Sequence, residues 1–156
     1  MNNEKIIGYI QNGIVVDHIP VGKVWEIVHI LGIDKDKLNG GRISLGEGYE
    51  SKRLCGRKGI LKVEGITLSD LELNYIALIA EGANVSFIQD GIVKNKINVK
   101  IPSKLEGLIA CPNEGCVSRD IFQKANPIIN YDYSKEEFKC HYCNRNFNKS
   151  ELELLI

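Results

Sequence analysis

Two cysteine pairs near the C-terminus constrain this chain more than any other feature of its sequence. Cys111 and Cys116 stand in CPNEGC, and Cys140 and Cys143 stand in CHYC. Two closely spaced pairs separated by a longer segment are typical of four thiolates that hold one Zn²⁺ ion in a tetrahedral site. Because four thiolates leave no coordination position for water or substrate, the pattern predicts a structural zinc ion rather than a catalytic one.

The cysteines also allow other interpretations. Two disulfides would require an oxidising compartment. Residues 1–25 contain no signal-like segment, so we expect a cytoplasmic location. A rubredoxin-like iron site uses four thiolates as well and stays open as an alternative. His141 lies inside the second pair and is interpreted as a solvent-facing residue. Cys55, the fifth cysteine, is interpreted as a small, partly buried thiol.

The charge balance bears on a nucleic-acid-binding function. The chain has 156 residues, with 20 lysine plus arginine and 20 aspartate plus glutamate, so its net charge is zero. From residue 111 onward, six basic residues face seven acidic ones, which is not the basic surface that phosphate backbones require. A zinc-ribbon nucleic-acid-binding protein therefore remains an alternative that rests on cysteine spacing alone. The apolar runs are far shorter than the ~20 residues of a membrane span.

Hydrophobic patterning predicts two domains, residues 1–100 and 101–156. In the first, we expect a ferredoxin-like α+β fold of order β-α-β-β-α-β with one added strand, an antiparallel sheet with two helices on one face. The second, with residues 101–110 as a connector, is expected to be a small all-β domain of the rubredoxin-like or zinc-ribbon type, with a hairpin over 128–133 and 138–140. This part is too short to bury an adequate core without its metal.

Particular segments carry these predictions. Ser69 or Thr67 is expected to cap the second helix, and Gly32 to end the first. Segment 46–58 is expected to connect two strands. The predicted strands are 5–10, 14–16, 42–45, 59–63, 83–89 and 92–99, and the predicted helices are 22–31 and 67–80.

Four stretches, taken together, resemble the regulatory chain of aspartate carbamoyltransferase. They are NGIVVDHIP at residues 12–20, GRKGILKVE at residues 56–64, and the cysteine motifs CPNEGC and CHYC. The resemblance covers nearly the whole chain in the right order. It implies a non-catalytic, cytoplasmic subunit of pyrimidine biosynthesis that binds CTP, UTP or ATP, with or without Mg²⁺, on its N-terminal domain. It further implies a regulatory-chain homodimer whose zinc domain docks on the catalytic chain, with no nucleic-acid or membrane partner.

The resemblance also implies a set of nucleotide-binding residues. Lys58, Lys62 and Lys96 match the family's cations, and a triphosphate of about four negative charges requires several cations. Strand alternation would place Lys58 and Lys62 on the same face. Asp17 and His18 match residues beside the ribose and phosphates. The remaining members are backbone groups near Ile7, Tyr9 and Ile10, the apolar Ile88 and Val93 around the base, and Ser86.

These residues also allow simpler interpretations, and the chain departs from the family pattern in places. Lys58 and Lys62 alone would suit solvated strand lysines, and Asp17 with His18 would suit a turn cap before Pro20. Ser86 stands where the family has an asparagine. Gly91 stands where the family often has a tyrosine, and residues 40–55 also differ, so base preference and dimer strength are expected to differ as well.

Overall fold

The computed structural model describes residues 9–33, 37–38, 40–54 and 56–156. The chain divides into two compact units, Met1–Lys100 and Ile101–Ile156. Wherever the chain is described, no helix combines the length and apolar character that crossing a membrane would need.

The N-terminal unit is an antiparallel sheet with two helices. Its strands lie in the order β2-β3-β1-β4-β5, and each neighbouring pair is antiparallel. This order places β3 and β4 on either side of β1, as the predicted ferredoxin-like arrangement requires, with β5 as the added strand. The elements are β1 (Gly13–Pro20), α1 (Val24–Ile30), β2 (Ile43–Ser51), β3 (Gly56–Glu64), α2 (Asp70–Ile79), β4 (Asn84–Gln89) and β5 (Ile92–Asn98).

One face of this sheet is buried against the helices. Alternate residues of β1 and β3, together with Val85 of β4, point into the core and are buried, because successive side chains of a strand point to opposite faces. At Gly59 the helix α1 comes so close that a Cβ atom would lie 2.3 Å from Cγ2 of Val24. The fully buried core side chains include Ile14, Val16, Leu61, Val63, Val85, Val24, Ile27 and Ile76. The opposite face is therefore left for polar residues.

The start of α2 and the end of α1 lie at residues that the sequence predicts. Ser69 forms a capping box with Glu72: its side chain accepts from the Glu72 backbone N–H, and the Glu72 carboxylate accepts from the Ser69 N–H. Gly32, with φ of +65°, follows α1. Its N–H donates to the carbonyl of His29, and that of Ile33 donates to Val28, which is a Schellman ending.

Three strand boundaries differ from the prediction. Tyr9 and Ile10 do not lie in a strand, and residues 5–8 fall outside the described part of the chain. β1 does not end before Asp17 but continues to Pro20 through a bulge. The predicted connector 46–58 is wrong in most of its length, because β2 reaches Ser51 through a second bulge. The glycines of that segment favour a loop by composition, but Gly46 and Gly48 lie at the bulge of β2.

The C-terminal unit contains a four-stranded antiparallel sheet in the order β6-β7-β8-β9. Its strands are β6 (Lys104–Glu106), β7 (Ile128–Asp132), β8 (Glu137–Cys140) and β9 (Asn146–Phe147). The predicted hairpin is confirmed as β7 and β8, and Phe147 stacks on Phe138 with ring centroids 5.5 Å apart. Residues 101–110 are not merely a connector, because β6 pairs with β7. The predicted α+β class with a small all-β C-terminal part is confirmed.

Candidate functional site

The four paired cysteines form one cluster in the C-terminal unit. Their Sγ atoms all lie within 4.8 Å of one another, with 3.6 Å between Cys111 and Cys143 and 3.7 Å between Cys116 and Cys140. A tetrahedral site with metal–sulfur bonds of ~2.3 Å has sulfur–sulfur edges of about 3.8 Å. A disulfide would need about 2.05 Å. The spacing therefore fits four thiolates around one metal ion.

Tight turns bring each pair to the cluster. The Cys116 N–H donates to the carbonyl of Asn113 at 3.0 Å, which closes the first turn before a short 3₁₀ helix, Val117–Arg119. In the second turn the Asn144 N–H donates to the carbonyl of Cys140 at 3.0 Å, and Asn144 adopts a φ of +59°. Because β8 ends at Cys140 and pairs with β7, the sheet fixes where the second turn lies.

The surroundings of the sulfurs differ. Burial raises the pKa of the Cys111 thiol. Burial also acts to raise the pKa of Cys143, but the Arg145 backbone N–H, the Asn113 side chain and the neighbouring thiols lower it to about 7. The hydroxyl of Ser118 lies 3.2 Å from Sγ of Cys116. Hydrogen-bond donors beside the sulfurs stabilise thiolates, the form that binds metal.

The surface near the cluster contains paired charges. Arg119 contacts Glu153 at 2.9 Å and also donates to the Cys111 carbonyl, and Arg145 contacts Glu151 at 2.9 Å. Both guanidinium groups near the cysteines are thus engaged by carboxylates, which disfavours a phosphate-binding surface here. His141 is exposed and lies outside the cysteine cluster.

The outer face of the N-terminal sheet brings together most of the predicted site residues. In the strand register, Lys62 lies opposite Val15, Val15 opposite Ser86, and Ser86 opposite Lys96. Cross-strand partners point to the same face, so the two lysines stand at either side of one row. Their strands are three spacings apart, about 14 Å, which two lysine side chains can span towards a shared anion.

A bulge in β1 turns a second group of polar residues onto this face. His18 is the extra residue of the bulge and has a φ of +59°, a conformation uncommon for residues other than glycine. Its backbone N–H donates to Oδ1 of Asp17 at 2.7 Å, and Nζ of Lys58 lies 2.8 Å from the same carboxylate. Asp17, His18 and Lys58 are therefore one contact group rather than an isolated turn cap.

The electrostatics of this group favour a neutral imidazole beside a carboxylate anion. Burial lowers the pKa of His18, the Asp17 carboxylate raises it, and the cations Lys58, Arg53 and Lys96 lower it further, leaving it below the usual 6.5. Burial acts to raise the pKa of Asp17, but the hydrogen bonds from Lys58 and from the His18 backbone outweigh it, so that pKa lies below 3.8.

Three residues at the same end of the sheet were not predicted from the sequence. Asn84 lies opposite Asp17 in the register, and Asn98 lies opposite Asn84. Nδ2 of Asn84 is 3.4 Å from Nδ1 of His18, and Asn98 donates to Oδ1 of Asn84 at 3.1 Å. Arg53, between β2 and β3, reaches the carbonyl of Gly82 at 2.6 Å. No local motif marks them, since only the strand order brings them together.

The apolar residues predicted around the base, Ile88 and Val93, lie two residues along β1 from the row that contains Lys62 and Lys96. Gly13 lies opposite Ile88, and Ile88 opposite Val93. Ile10 is buried, whereas Tyr9 is 72% exposed. The Gly91 N–H donates to the carbonyl of Gln11 at 2.9 Å, so the β4–β5 turn is held against the chain just before β1. Ile7 and Cys55 lie outside the described residues.

A cavity lies near this apolar end. It has a volume of ≈ 340 Å³. Of the predicted nucleotide-site residues that the structure describes, Ile88 lines this cavity. Its lining residues are Asn12, Gly13, Gly65, Ile66, Thr67, Phe87, Ile88, Gln89 and Lys94.

Comparisons with known proteins agree with a chain of two parts. Residues 5–100 match the family model for the allosteric domain of the aspartate carbamoyltransferase regulatory chain, and residues 103–153 match the model for its metal binding domain. A regulatory chain of this enzyme from Thermococcus kodakarensis is 43% identical over 148 residues, covering 94% of this chain and 93% of that protein. The one from Pyrococcus furiosus is 41% identical over 148 residues, with 94% of each covered.

A more distant relative gives the same result. The aspartate carbamoyltransferase regulatory chain of Saccharolobus solfataricus is 36% identical over 141 residues, covering 90% of this chain and 87% of that protein. The resemblance carried by residues 12–20, residues 56–64 and the two cysteine motifs is confirmed. This chain belongs to the aspartate carbamoyltransferase regulatory chain family.

Proposed function

We propose that the outer face of the N-terminal sheet binds nucleoside triphosphates and that this binding tunes aspartate carbamoyltransferase in pyrimidine biosynthesis. The observation that carries the proposal is the convergence of Lys58, Lys62 and Lys96 on one face, with His18 among them. A triphosphate carries about four negative charges, and charge-assisted hydrogen bonds from several directions are the usual way to hold it. The sheet supplies those directions because its cations come from two different strands.

The nucleoside would lie along β1. The apolar Ile88 lies opposite Gly13, four residues before Asp17, and Val93 lies opposite Ile88, so a base at that end leaves the phosphates beside the cations. Asp17 suits the ribose hydroxyls, since a carboxylate accepts two hydrogen bonds. Backbone groups of Tyr9 and Ile10 are the candidates for reading the base, and CTP, UTP and ATP are the effectors we expect, with or without Mg²⁺.

The C-terminal unit would hold one structural Zn²⁺ ion through its four cysteines and dock on the catalytic chain. When bound, the ion cross-links the turn after Cys111 to the end of β8. Zinc is favoured over iron because it prefers a closed tetrahedral site and needs no redox partner. The regulatory chain itself is proposed to be non-catalytic and to act as a homodimer.

Regulation requires that the effector bind two states of the whole enzyme with different affinity, since equal affinity would shift nothing. The purified chain should therefore bind nucleotides but turn over no carbamoyl phosphate. Added to its catalytic chain, it should make the rate of carbamoyl transfer depend on the nucleotide present. Turnover by the regulatory chain alone would contradict the proposal.

The direct test is calorimetric titration of the zinc-loaded chain with CTP, UTP and ATP, with and without Mg²⁺. We expect one site per chain and weaker binding by Lys58→Ala. Lys135→Ala is the matched control, because it removes the same charge from an exposed position in the other unit. No binding of any triphosphate, either by the chain alone or with its catalytic partner, would overturn the proposal.

A further inference from the structure

Arg53 closes one end of the sheet's outer face. It lies in the turn after β2, which is held by a hydrogen bond from the Leu54 N–H to the hydroxyl of Ser51 at 3.2 Å. Its Nη2 donates to the carbonyl of Gly82, just before β4, at 2.6 Å. The contact therefore joins a turn beside the edge strand β2 to the start of β4, across the ends of β3 and β1.

A continuous set of hydrogen bonds links this arginine to the imidazole of His18. The Gly82 carbonyl that accepts from Arg53 also accepts from Nδ2 of Asn98 at 2.8 Å. The same Nδ2 lies 3.1 Å from Oδ1 of Asn84, which leaves the Asn84 amide nitrogen facing Nδ1 of His18. Oδ2 of Asp17 lies 3.7 Å from the same Nδ1, beyond hydrogen-bond distance. The amide donor at Nδ1 therefore favours the neutral tautomer that carries its hydrogen on Nε2, from which it can donate to an anion.

The Arg53 side chain is exposed. Within the described part of the chain, the Gly82 carbonyl accepts from one of its five N–H donors, so most of the guanidinium can meet a ligand. A planar guanidinium held at one corner by a backbone carbonyl is pre-organised for a bidentate contact with a phosphate group.

We propose that Arg53 binds the terminal phosphate of the effector and so makes the site select triphosphates over shorter phosphate chains. This inference rests on the proposed function and adds to it a residue that lies outside the motifs at residues 12–20 and 56–64 and outside the cysteine motifs. The position of Arg53 relative to β1 supports a contact with the terminal phosphate. From Gly13 to Asp17 the strand advances about 13 Å, and Arg53 reaches Gly82, beyond the row of Asp17 and Asn84.

The test compares binding of CTP, CDP and CMP to the full-length, zinc-loaded chain. The variants are Arg53→Ala and Arg53→Lys. Arg57→Ala is the matched control, because Arg57 is exposed and lies next to Lys58 in β3, so its side chain points away from the face that holds Lys58. We expect Arg53→Ala to weaken CTP roughly tenfold to a hundredfold, CDP less, and CMP less than about twofold. Arg53→Lys should be intermediate, because it keeps the charge but loses the planar fork.

The outcomes separate this inference from the proposed function. If the unaltered chain binds CTP but Arg53→Ala leaves the ratio of CTP to CMP affinity unchanged, the inference is wrong and the proposed function stands. A lowered Tm with that ratio unchanged would assign Arg53 to holding the turn alone, again against the inference. If the unaltered chain binds none of the three, alone or with its catalytic partner, this inference is overturned, and the proposed function is overturned as well only if UTP and ATP also fail to bind.

Discussion

The two units of this chain hold their functional groups in opposite ways. In the C-terminal unit the four cysteines lie in two short turns, and their sulfur atoms have the spacing of a structural metal site. In the N-terminal unit the core is formed by apolar side chains between sheet and helices, and the candidate site occupies the other face. Its members, such as Asp17, Lys58 and Lys96, come from strands far apart in sequence.

This difference decides what a substitution can do. A change in the cysteine cluster removes a structural cross-link, so binding and folding are lost together. A change on the outer face of the N-terminal sheet leaves the core intact, so binding can be altered at little cost in stability.

The largest effect is expected from Cys140→Ser. Zinc binding to sites of this kind contributes on the order of 10–16 kcal/mol, whereas the small apolar core of the C-terminal unit, which includes Ile129 and Phe138, is expected to supply only about 3–5 kcal/mol. We expect loss of the metal and unfolding of residues 101–156, with the N-terminal unit still folded. The measurement is the amide NMR spectrum, in which the signals of β6–β9 should collapse while those of β1–β5 persist.

Lys139→Ser, at the exposed neighbouring position of β8, is the control and should retain the metal. Collapse of both sets of signals in Cys140→Ser would show that the two units unfold as one. The contrast between a metal-supported unit and a core-supported unit would then be lost.

Ile14→Ala is expected to have the reverse effect. Ile14 is fully buried in the sheet core, and removing such a side chain costs about 2–5 kcal/mol. Denaturant unfolding followed by circular dichroism should show the N-terminal unit destabilised, while the thiolate-to-metal absorption of the Co²⁺-substituted C-terminal unit is unchanged. Val15→Ala, on the partly exposed opposite face, should cost clearly less; an equal cost would contradict the assignment of faces.

Local sequence signals predicted the parts of the molecule that local interactions build. The two cysteine pairs, the helix cap at Ser69 and the ending at Gly32 each depend on residues a few positions apart. The alternation that places Lys58 and Lys62 on one face is local as well. These predictions agree with the structure because no distant contact competes with them.

The remaining features depend on strand order and register, which single segments do not contain. Segment 46–58 was predicted as a connector because its glycines suggest a loop, although in β2 they accommodate a bulge beside β3. β6 was missed because it has one buried apolar residue, Leu105, and pairs with a strand more than twenty residues away. Arg53, Asn84 and Asn98 gave no signal, since their contacts exist only once five strands are assembled.

A smaller effect is expected from Lys58→Ala on the pKa of Asp17. Burial acts to raise that pKa, and Lys58 is the first of the groups that lower it, so the substitution should raise it. Because the folded pKa is lowered, the pair stabilises the fold above pH 3.8, and this contribution is lost as pH falls through the folded value. The stability change should be below about 1 kcal/mol, smaller than that of Ile14→Ala.

The measurement is an NMR titration of the Asp17 carboxyl carbon in both proteins. Lys62→Ala, on the same strand face, is the matched control and should leave the Asp17 titration nearly unchanged. An Asp17 pKa that stays equally low in Lys58→Ala would show that the ion pair with Lys58 does not lower it.

The smallest expected effect is a pH dependence of triphosphate binding through His18. Its pKa lies below 6.5 because burial and the cations Lys58, Arg53 and Lys96 outweigh Asp17, so the free chain holds it neutral at pH 7. A bound polyphosphate adds negative charge and must raise that pKa, so by linkage the affinity should increase several-fold between pH 8 and pH 6. The unliganded fold has the opposite dependence, since a His with a lowered pKa stabilises it above pH 6.5 and loses that contribution as pH falls.

His18→Asn is the appropriate variant, because asparagine tolerates the positive φ of the bulge but does not titrate. Calorimetry between pH 6 and 8, in two buffers of different ionisation enthalpy, measures both the affinity and the protons taken up on binding. The wild-type chain should take up a fraction of a proton that the variant does not. If both proteins show the same proton uptake, the titrating group lies on the nucleotide itself, and the bulge serves to shape the sheet face rather than to add a switchable charge to it.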